Sequence, residues 1–347
     1  MDNIFLYLEP TELDQFLSAS ASIGANELLV QGAGGNTSYK EDDQLFIKAS
    51  GAKLKESLRD DIYVNVNRTK ILSRIKSGKV DPVKESWNDL KGLRPSIETT
   101  LHALLPHKFV FHVHCVNTIS LVVQKDCEQK LTSLLKDFNW IRVPYCKPGV
   151  ELTNYIYNLL SNRKPDLIFL SNHGLVVGGE SVNETLDLLL EVSNKLYPGK
   201  RKIEEPDILK LKYLCLNSSY RPTKYPEAHQ IALSKQSVNI ASSGSLYPDH
   251  VVFLGPSLVT VKSKEELICL KKRKKLIEPL LVIAVPGDGI LVDQNITDDC
   301  EDMVLALHNV VSRIPDNAKV NYLTKDQESE LLNWDAEQYR LKISKIK

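Results

Sequence analysis

The hexapeptide Phe109-Val110-Phe111-His112-Val113-His114 carries the plainest structural signal in the chain. It is rich in aromatic and β-branched residues, which favour strands. Side chains alternate between the two faces of a strand, so the apolar odd-numbered residues share one face. The even-numbered residues, including His112 and His114, share the other. The pattern predicts a buried strand that presents two imidazoles from one face.

Two histidines at this spacing can place one ring nitrogen each at about 2.0–2.1 Å from a single zinc ion. A third histidine, His173, lies in the turn Ser171-Asn172-His173-Gly174 between two predicted strands. Three histidines with an open fourth position are typical of a catalytic metal site. The spacing alone leaves an alternative open, in which the paired histidines are hydrogen-bonded core residues.

A carboxylate precedes the histidine strand in the sequence. Residues 95–105 are predicted to form a helix that leads directly into the strand, and Glu98 lies on this helix. His102 is four residues later and therefore lies on the same helical face. Glu98 is a candidate metal-proximal acid or base, while His102 either orients it or packs the helix.

Small residues interrupt the chain at two places before this helix. Residues 32–39 read Gly32-Ala33-Gly34-Gly35-Asn36-Thr37-Ser38-Tyr39, and Ser50-Gly51-Ala52 ends a predicted strand over residues 43–49. Glycine allows a tight turn or the close approach of a ligand. The backbone N–H groups of such a turn can also bind an anion such as phosphate.

The order of predicted elements indicates an α/β protein, with layers of helices around a largely antiparallel central sheet. The seam Pro198-Gly199-Lys200-Arg201-Lys202 is polar and contains helix breakers. We therefore predict a metal-binding domain over residues 1–200 and a smaller α/β domain of unknown role over residues 201–347. In the second domain we expect strands at 251–254 and 281–285, and helices near 299–312 and 325–341.

The composition excludes several classes of protein. Lys and Arg total 44 and Asp and Glu total 44, so no net charge favours nucleic acid or an acidic membrane. The six cysteines form no CxxC pair, which favours free thiols in a reducing compartment. Residues 1–6 do not predict a signal peptide, and no apolar stretch is long enough to span a bilayer. These features predict a cytoplasmic chain.

Five motifs, taken in order, resemble the class II aldolase/adducin family over roughly residues 9–200. The family includes fuculose- and rhamnulose-phosphate aldolases, a pentose-phosphate epimerase, a dehydratase and the non-enzymatic adducins. The motifs are the turn Gly34-Gly35-Asn36-Thr37-Ser38, Ser50-Gly51, Ser96-Ile97-Glu98 with His102, His112-Val113-His114 and Asn172-His173-Gly174.

The whole length also resembles a subgroup in which such a domain is often fused to a short-chain dehydrogenase. The chain contains no GxGxxG dinucleotide-binding motif, so it corresponds to the aldolase half. The segments that carry this second resemblance are residues 144–149 (PYCKPG), 247–255 (YPDHVVFLG) and 333–340 (NWDAEQYR).

The resemblance implies a metal-dependent aldehyde-lyase. Zn²⁺, or another divalent ion such as Mn²⁺, would be held by His112, His114 and His173, with Glu98 as the acid/base. A ketose phosphate or related sugar derivative would be cleaved or formed through a metal-stabilised enediolate. Residues that would bind the substrate phosphate are Gly35, Asn36, Ser50, Gly51 and Ser96.

The sequence departs from the aldolase pattern at two points. Ile97 replaces a serine that precedes the glutamate, and residues 137–140 contain no counterpart of a catalytic tyrosine. These departures leave open an epimerase, dehydratase or decarboxylase on the same metal site, or an adducin-like interaction protein. The family also implies a homotetramer with sites at subunit interfaces. Lys147 and His250 are further candidates for substrate contacts.

Overall fold

In the computed structural model, the described residues are 10–88, 92–160, 163–201, 204–273 and 280–346. The strands are β1 Asn36–Glu41, β2 Gln44–Lys48, β3 Tyr63–Asn67, β4 Phe109–Val113, β5 Trp140–Val143, β6 Leu167–Leu170, β7 Gly174–Gly179, β8 Tyr220–Pro222, β9 Val259–Thr260, β10 Val282–Val285 and β11 Gly289–Asp293. The helices are α1 Glu12–Ala25, α2 Arg68–Lys76, α3 Thr99–Leu104, α4 Val116–Val122, α5 Cys127–Leu134, α6 Val150–Leu160, α7 Val182–Lys195, α8 Ile208–Cys215, α9 Gln230–Leu233, α10 Lys235–Ser243, α11 Pro248–Leu254, α12 Lys264–Arg273, α13 Asp298–Val311, α14 Lys325–Leu332 and α15 Asp335–Ile346, with 3₁₀ turns at Leu54–Glu56 and Pro226–His229.

Two sheets organise these elements. The larger has the strand order β3-β2-β1-β4-β7-β6-β5, and its neighbours are antiparallel except for the parallel pair β5 and β6. The smaller has the order β8-β11-β10-β9, with β9 parallel to β10. The predicted fold class, an α/β protein with a largely antiparallel main sheet and a smaller second α/β unit, is confirmed.

Strand β4 occupies the centre of the larger sheet, between β1 and β7. In this register His112 is opposite Asn36 on one side and Val176 on the other. Phe109, Phe111 and Val113 belong to the apolar core formed with α1 and α7, whereas Val110 packs into a separate cluster on the other face. The alternation predicted from the sequence is therefore present, and His112 lies on the face opposite the α1–α7 core.

The two halves of the chain share an apolar core. Val116 and Ile119 of α4 pack with Val304 and Leu307 of α13, and all four side chains are buried. All strands of the larger sheet precede residue 200, and all strands of the smaller sheet follow it. The boundary at 200/201 stays a prediction, but the shared core means that the second half packs directly against the elements that follow the histidine strand.

Three secondary-structure expectations were wrong. Residues 251–254 are part of helix α11, not a strand, because Pro248 fills the first helical position and Asp249 lies in the first turn. Helix α3 begins at Thr99 instead of Pro95, since Pro95 pairs with Ala49 in an extended bridge. The helix expected at 325–341 is two helices, α14 and α15.

Two further observations concern the described part of the chain. No helix in it combines the length and the apolar character that a membrane span requires. The six cysteines are all free thiols, as expected, although Cys269 is exposed and Cys146 is half-buried.

A buried lysine near the start of the sheet gives a pH-dependent prediction. Lys40 is 7% exposed and its ammonium donates to the carbonyl of His107 at 2.7 Å. Burial, reinforced by the positive charge of Arg68, lowers the pKa of Lys40 to about 7. Between pH 7 and the pKa of an unfolded lysine, the unfolded chain binds more protons, so stability rises with pH by at most about 1.4 kcal/mol per unit.

We expect Lys40→Met to remove this pH dependence. The free energy of unfolding is measured in urea at pH 7, 8 and 9. As the pH rises, the value for wild type should increase relative to that for Lys40→Met. Lys125→Met, which changes an exposed lysine, is the control and should change in parallel with the wild type. A constant difference between Lys40→Met and wild type over this pH range would contradict the assignment.

Candidate metal centre

The three histidines predicted to bind metal converge in the structure. One ligand nitrogen from each of His112, His114 and His173 lies within 4.8 Å of the other two. Their ring centroids are separated by 5.1, 4.8 and 5.2 Å. All three side chains are buried, with residue exposures of 0, 7 and 5%. The strand alternation and the β6–β7 turn thus bring together nitrogens from two separate segments.

The backbone fixes the protonation of one of these rings. His112 Nδ1 is 3.1 Å from the carbonyl oxygen of Leu175 on the neighbouring strand β7. A carbonyl oxygen only accepts, so Nδ1 carries the hydrogen and Nε2 is left with its lone pair. His112 Nε2 is buried and has no hydrogen-bond partner. An unpartnered buried lone pair is the form in which histidine binds a metal ion.

His173 reaches the same point from the β6–β7 turn. Asn172 adopts a left-handed conformation with φ +53°, and it turns the chain sharply before His173. Gly174 is required because an added Cβ would lie 2.3 Å from the carbonyl of Val113. Sheet geometry and this glycine therefore hold the turn close against the end of β4.

Glu98 lies beside the histidines at the N-cap position of α3. Its Oε2 is 3.2 Å from His112 Nε2, and its Oε1 is 3.6 Å from His173 Nε2. The Asn36 amide donates to Oε2 at 2.8 Å, while Oε1 has no hydrogen-bond partner. Burial would raise the pKa of Glu98, but His112, His173 and the Asn36 hydrogen bond outweigh it and lower the pKa to about 2.

The donor set fits a divalent metal ion. Burial lowers the pKa of His173 to about 3 and also lowers that of His112. At neutral pH His112 and His173 are therefore uncharged imidazoles and Glu98 is an ionised carboxylate, the forms in which these groups are ligands. Two buried atoms at the centre, His112 Nε2 and Glu98 Oε1, have no hydrogen-bond partner in the described residues. A divalent ion would satisfy both, and three histidines with a nearby carboxylate fit a catalytic metal site.

The predicted phosphate-binding residues share one narrow cleft with this centre. The cleft is also lined by Lys48, whose ammonium donates to the carbonyls of Ala33 and Ala52 at 3.0 and 2.6 Å. Its volume is about 30 Å³, room for about one water molecule. The predicted residues in the lining are Gly35, Asn36, Ser50, Gly51, Ser96, Glu98, His114 and His173.

Helix α15 covers the cleft where the predicted phosphate-binding residues lie. Gly51 has φ +76°, and an added Cβ would be 2.9 Å from Cδ1 of Ile343. Arg340 and Glu337 of the same helix line the cleft. Helix α15 therefore forms one wall of the cleft.

The family follows from the comparison of the sequence with known proteins. The sequence model described as the Class II Aldolase and Adducin N-terminal domain matches residues 15–196, just over half of the chain. The chain belongs to this family. In this class II aldolase/adducin member, the three histidines and Glu98 lie within the matched region. The helices that cover the cleft, α11 and α15, lie outside it.

One curated relative is a Bacillus subtilis (strain 168) protein named uncharacterized oxidoreductase YuxG. It is 30% identical over 189 residues, which are 50% of this chain and 27% of the relative. The chain thus spans only about a quarter of that relative's length. The activity of the whole relative is therefore not assigned to this chain.

Two solved structures illustrate the structural resemblance. The N-terminal class II aldolase domain of a conserved protein from Thermoplasma acidophilum is 28% identical, with a TM-score of 0.48 over 56% of this chain and 97% of that domain. The L-fuculose-1-phosphate aldolase of Thermus thermophilus is 16% identical, with a TM-score of 0.39 over 54% of this chain and 92% of that enzyme. Both comparisons cover little more than half of this chain.

Some predicted residues lie elsewhere in this class II aldolase/adducin member. His102 bonds through Nδ1 to the Ser38 hydroxyl at 2.7 Å, which is a packing role for α3. Lys147 places its ammonium 4.7 Å from the centroid of the Trp334 ring. His250 Nδ1 accepts from the Leu246 N–H at 3.2 Å. Neither Lys147 nor His250 is among the residues that line the cleft.

The sequence analysis missed three charged residues at the cleft. Asp249, Glu337 and Arg340 all line it, and all come from the second half of the chain. They lie within the segments 247–255 and 333–340 that carried the second resemblance, so a signal was present. The packing of α11 and α15 was needed to show that these segments place charged side chains in the cleft.

Proposed function

We propose that this chain is a metal-dependent aldolase that cleaves or forms a carbon–carbon bond in a ketose phosphate or a related sugar derivative. The observation that carries the proposal is the convergence of three buried histidine nitrogens, within 4.8 Å of one another, next to the Glu98 carboxylate. Members of the matched family act on sugar phosphates, which supports a small phosphorylated substrate.

The residues divide the work between holding the ion and moving a proton. His112, His114 and His173 would hold a divalent cation, with Zn²⁺ as the first candidate and Mn²⁺ as the second. When bound, such an ion acts as a Lewis acid that stabilises negative charge on substrate oxygens. Glu98, held by the Asn36 amide, would accept the proton of the substrate hydroxyl as the carbon–carbon bond breaks. It would return that proton to the carbon that keeps the bonding electrons.

The remaining cleft residues suit the phosphate end of the substrate. Gly35 and Gly51 both have positive φ, at +60° and +76°, so their backbone bends around the cleft. Turns of this kind can direct N–H groups at an anion. Lys48 adds a buried positive charge to the same wall. We propose that this wall binds the phosphate group.

The Ser50→Ala variant is expected to weaken substrate binding with little effect on the chemical step. Loss of one hydrogen bond to a charged group costs about 1.5–3 kcal/mol, which corresponds to a rise in KM of roughly 10- to 100-fold. Ser57→Ala removes a buried hydroxyl that bonds to the Leu54 carbonyl outside the cleft, and its KM should stay unchanged. A Ser50→Ala enzyme that loses kcat at constant KM would contradict the binding role.

One observation favours a second candidate within the same chemistry. Ile97 lines the cleft at the position where the aldolases have a serine, and no tyrosine is among the described residues that line it. Within one chain, no described cleft residue besides Glu98 is therefore assigned to exchange a proton with the aldehyde oxygen. An epimerase, dehydratase or decarboxylase on a sugar phosphate is the second candidate. Of these, a decarboxylase releases CO₂ and exchanges no proton with an aldehyde oxygen. A neighbouring subunit of a homotetramer would be another source of a residue for that exchange.

The test is a metal-supplemented activity screen. The purified chain, loaded with Zn²⁺ or Mn²⁺, is incubated with a panel of ketose 1-phosphates, and the release of triose phosphate is measured. Release that depends on metal and is lost with a chelator supports the aldolase. Silence with metal bound favours the epimerase, dehydratase or decarboxylase, and failure to bind either metal favours an adducin-like interaction protein.

A further inference from the structure

The second half of the chain inserts a buried ion-pair cluster beside the histidines. Arg340 of α15 donates to Asp249 Oδ1 at 3.1 Å and to the two oxygens of Glu337 at 3.1 and 2.9 Å. The side chains of Asp249 and Arg340 are only 3 and 9% exposed. Buried charges are costly unless paired, so this cluster is held in one arrangement. Within this cluster Arg340 bonds to Oδ1 of Asp249, and the second carboxylate oxygen, Oδ2, is left for another contact.

That second oxygen meets a metal-site histidine. Asp249 Oδ2 is 2.9 Å from His114 Nδ1, and no hydrogen bond to any other group of the described residues satisfies this buried oxygen. Gly34 leaves the space for this contact. A Cβ at residue 34 would lie 2.9 Å from His114 Nδ1 and 3.2 Å from Asp249 Oδ2. The glycine turn therefore permits the close approach of the carboxylate and the ring.

The chemistry of the pair determines which ring nitrogen is available to an ion. Arg340 donates to Asp249 Oδ1 at 3.1 Å, and this buried pairing with a guanidinium keeps Asp249 in its carboxylate form. An ionised carboxylate only accepts hydrogen bonds, so His114 Nδ1 must carry the hydrogen. Nε2 is then the nitrogen left with a lone pair. Carboxylates that accept from the far nitrogen of a metal-bound histidine fix its tautomer and orientation.

A second contact ties the same half of the chain to another histidine. Asn172, immediately before His173, donates from its side chain to the carbonyls of Leu246 and Asn321, both at 2.9 Å. Leu246 lies three residues before Asp249 in the sequence. The segment 246–249 therefore contacts the backbone turn of one histidine and the ring of another.

We propose that Asp249 is a positioning residue for the metal centre, contributed by the second half of the chain and acting through His114. Its carboxylate fixes the Nδ1–H tautomer of His114, while Arg340 fixes the carboxylate. This inference rests on the metal centre proposed above. It gives residues 201–347 a role at the site, because the fragment matched by the family model ends before Asp249.

The test compares Asp249→Asn with Asp299→Asn in the full chain. Each variant changes a buried carboxylate that occupies the second position of its helix and is paired with a cationic side chain. Asp299 is paired with Lys53, at 2.5 Å. Glu337 still neutralises Arg340 in Asp249→Asn, so no buried charge is orphaned. Zinc affinity is measured by competition with a chromophoric chelator. We expect zinc to bind about 10- to 100-fold more weakly to Asp249→Asn than to wild type. The zinc affinity of Asp299→Asn should equal that of wild type.

A spectroscopic readout separates positioning from mere packing. In wild-type protein without metal, ¹⁵N spectra of labelled histidine should show His114 with hydrogen on Nδ1, assigned by comparison with a His114→Gln variant. This measurement does not depend on Asp249→Asn folding. Hydrogen on Nε2 in the wild type, or equal zinc affinities of Asp249→Asn and Asp299→Asn, would overturn the role of Asp249. Wild-type protein that binds no zinc would overturn the metal centre itself.

Discussion

The His112→Ala variant is expected to lose its bound metal and, with it, activity by about 1,000-fold or more. His112 is fully buried, and its ring is already oriented by the carbonyl of Leu175 at 3.1 Å. His112 therefore contributes a preorganised donor nitrogen. Because the site is buried, solvent water does not take the place of that nitrogen in the variant. Removing one of three imidazoles leaves too few fixed donors for tight binding, and the Lewis-acid contribution of several kcal/mol is lost.

Metal content by elemental analysis and turnover of the substrate identified in the screen are the two measurements. His229→Ala is the matched control, because His229 is also buried, at 1% exposure, and accepts from the Ile290 N–H in the second half of the chain. Both variants lose a buried ring, so both are destabilised, but only His112→Ala should lose zinc. Full zinc occupancy in folded His112→Ala would exclude this histidine as a ligand.

The part of the site that sequence predicted is the part determined by local geometry. The two-residue period of a strand is a property of the backbone, so the shared face of His112 and His114 followed from their spacing alone. The turn containing His173 followed from the glycine after it and from the apolar strands on either side. That these segments meet was implied only by the family resemblance, because their spacing does not give the strand order.

The residues that sequence analysis missed depend on contacts between distant segments. Asp249 and Arg340 come from helices 135 and more residues beyond His114, and no periodicity links them to it. The apolar run 251–254 also looks the same as a buried strand or a short helix, because its length is compatible with either. Because the run was assigned to a strand, the sequence did not show that Asp249 lies in the first turn of a helix, with its carboxylate beside His114.

The neighbouring residue His250 is the candidate for a substrate contact that the sequence offers in the segment 247–255, and that role stays a prediction. In the structure its Nδ1 accepts from the backbone of Leu246, four residues earlier. Successive residues of a helix point about 100° apart, and of these two residues Asp249 lines the cleft whereas His250 does not. The packing of α11 gives that position to Asp249.

The Glu98→Gln variant is expected to keep its metal and lose most of its turnover. Proton transfer by a positioned carboxylate contributes about 10²- to 10⁴-fold to the rate, and an amide cannot perform it. Glutamine has nearly the same shape, and its carbonyl can still accept from the Asn36 amide, which now bonds to Oε2 at 2.8 Å. The three imidazoles remain in place. The expected result is therefore a fall in kcat of this size with zinc content near that of wild type.

The alternative role for Glu98 is that of a permanent fourth ligand. Its oxygens lie 3.2 Å from His112 Nε2 and 3.6 Å from His173 Nε2, close enough to the centre for either role. The two roles differ in their effect on metal affinity. A ligand that never leaves the ion should cost affinity when replaced by an amide, and added zinc should then restore turnover. Turnover that stays low at saturating zinc assigns Glu98 to the proton, whereas recovery to wild-type turnover would refute that assignment.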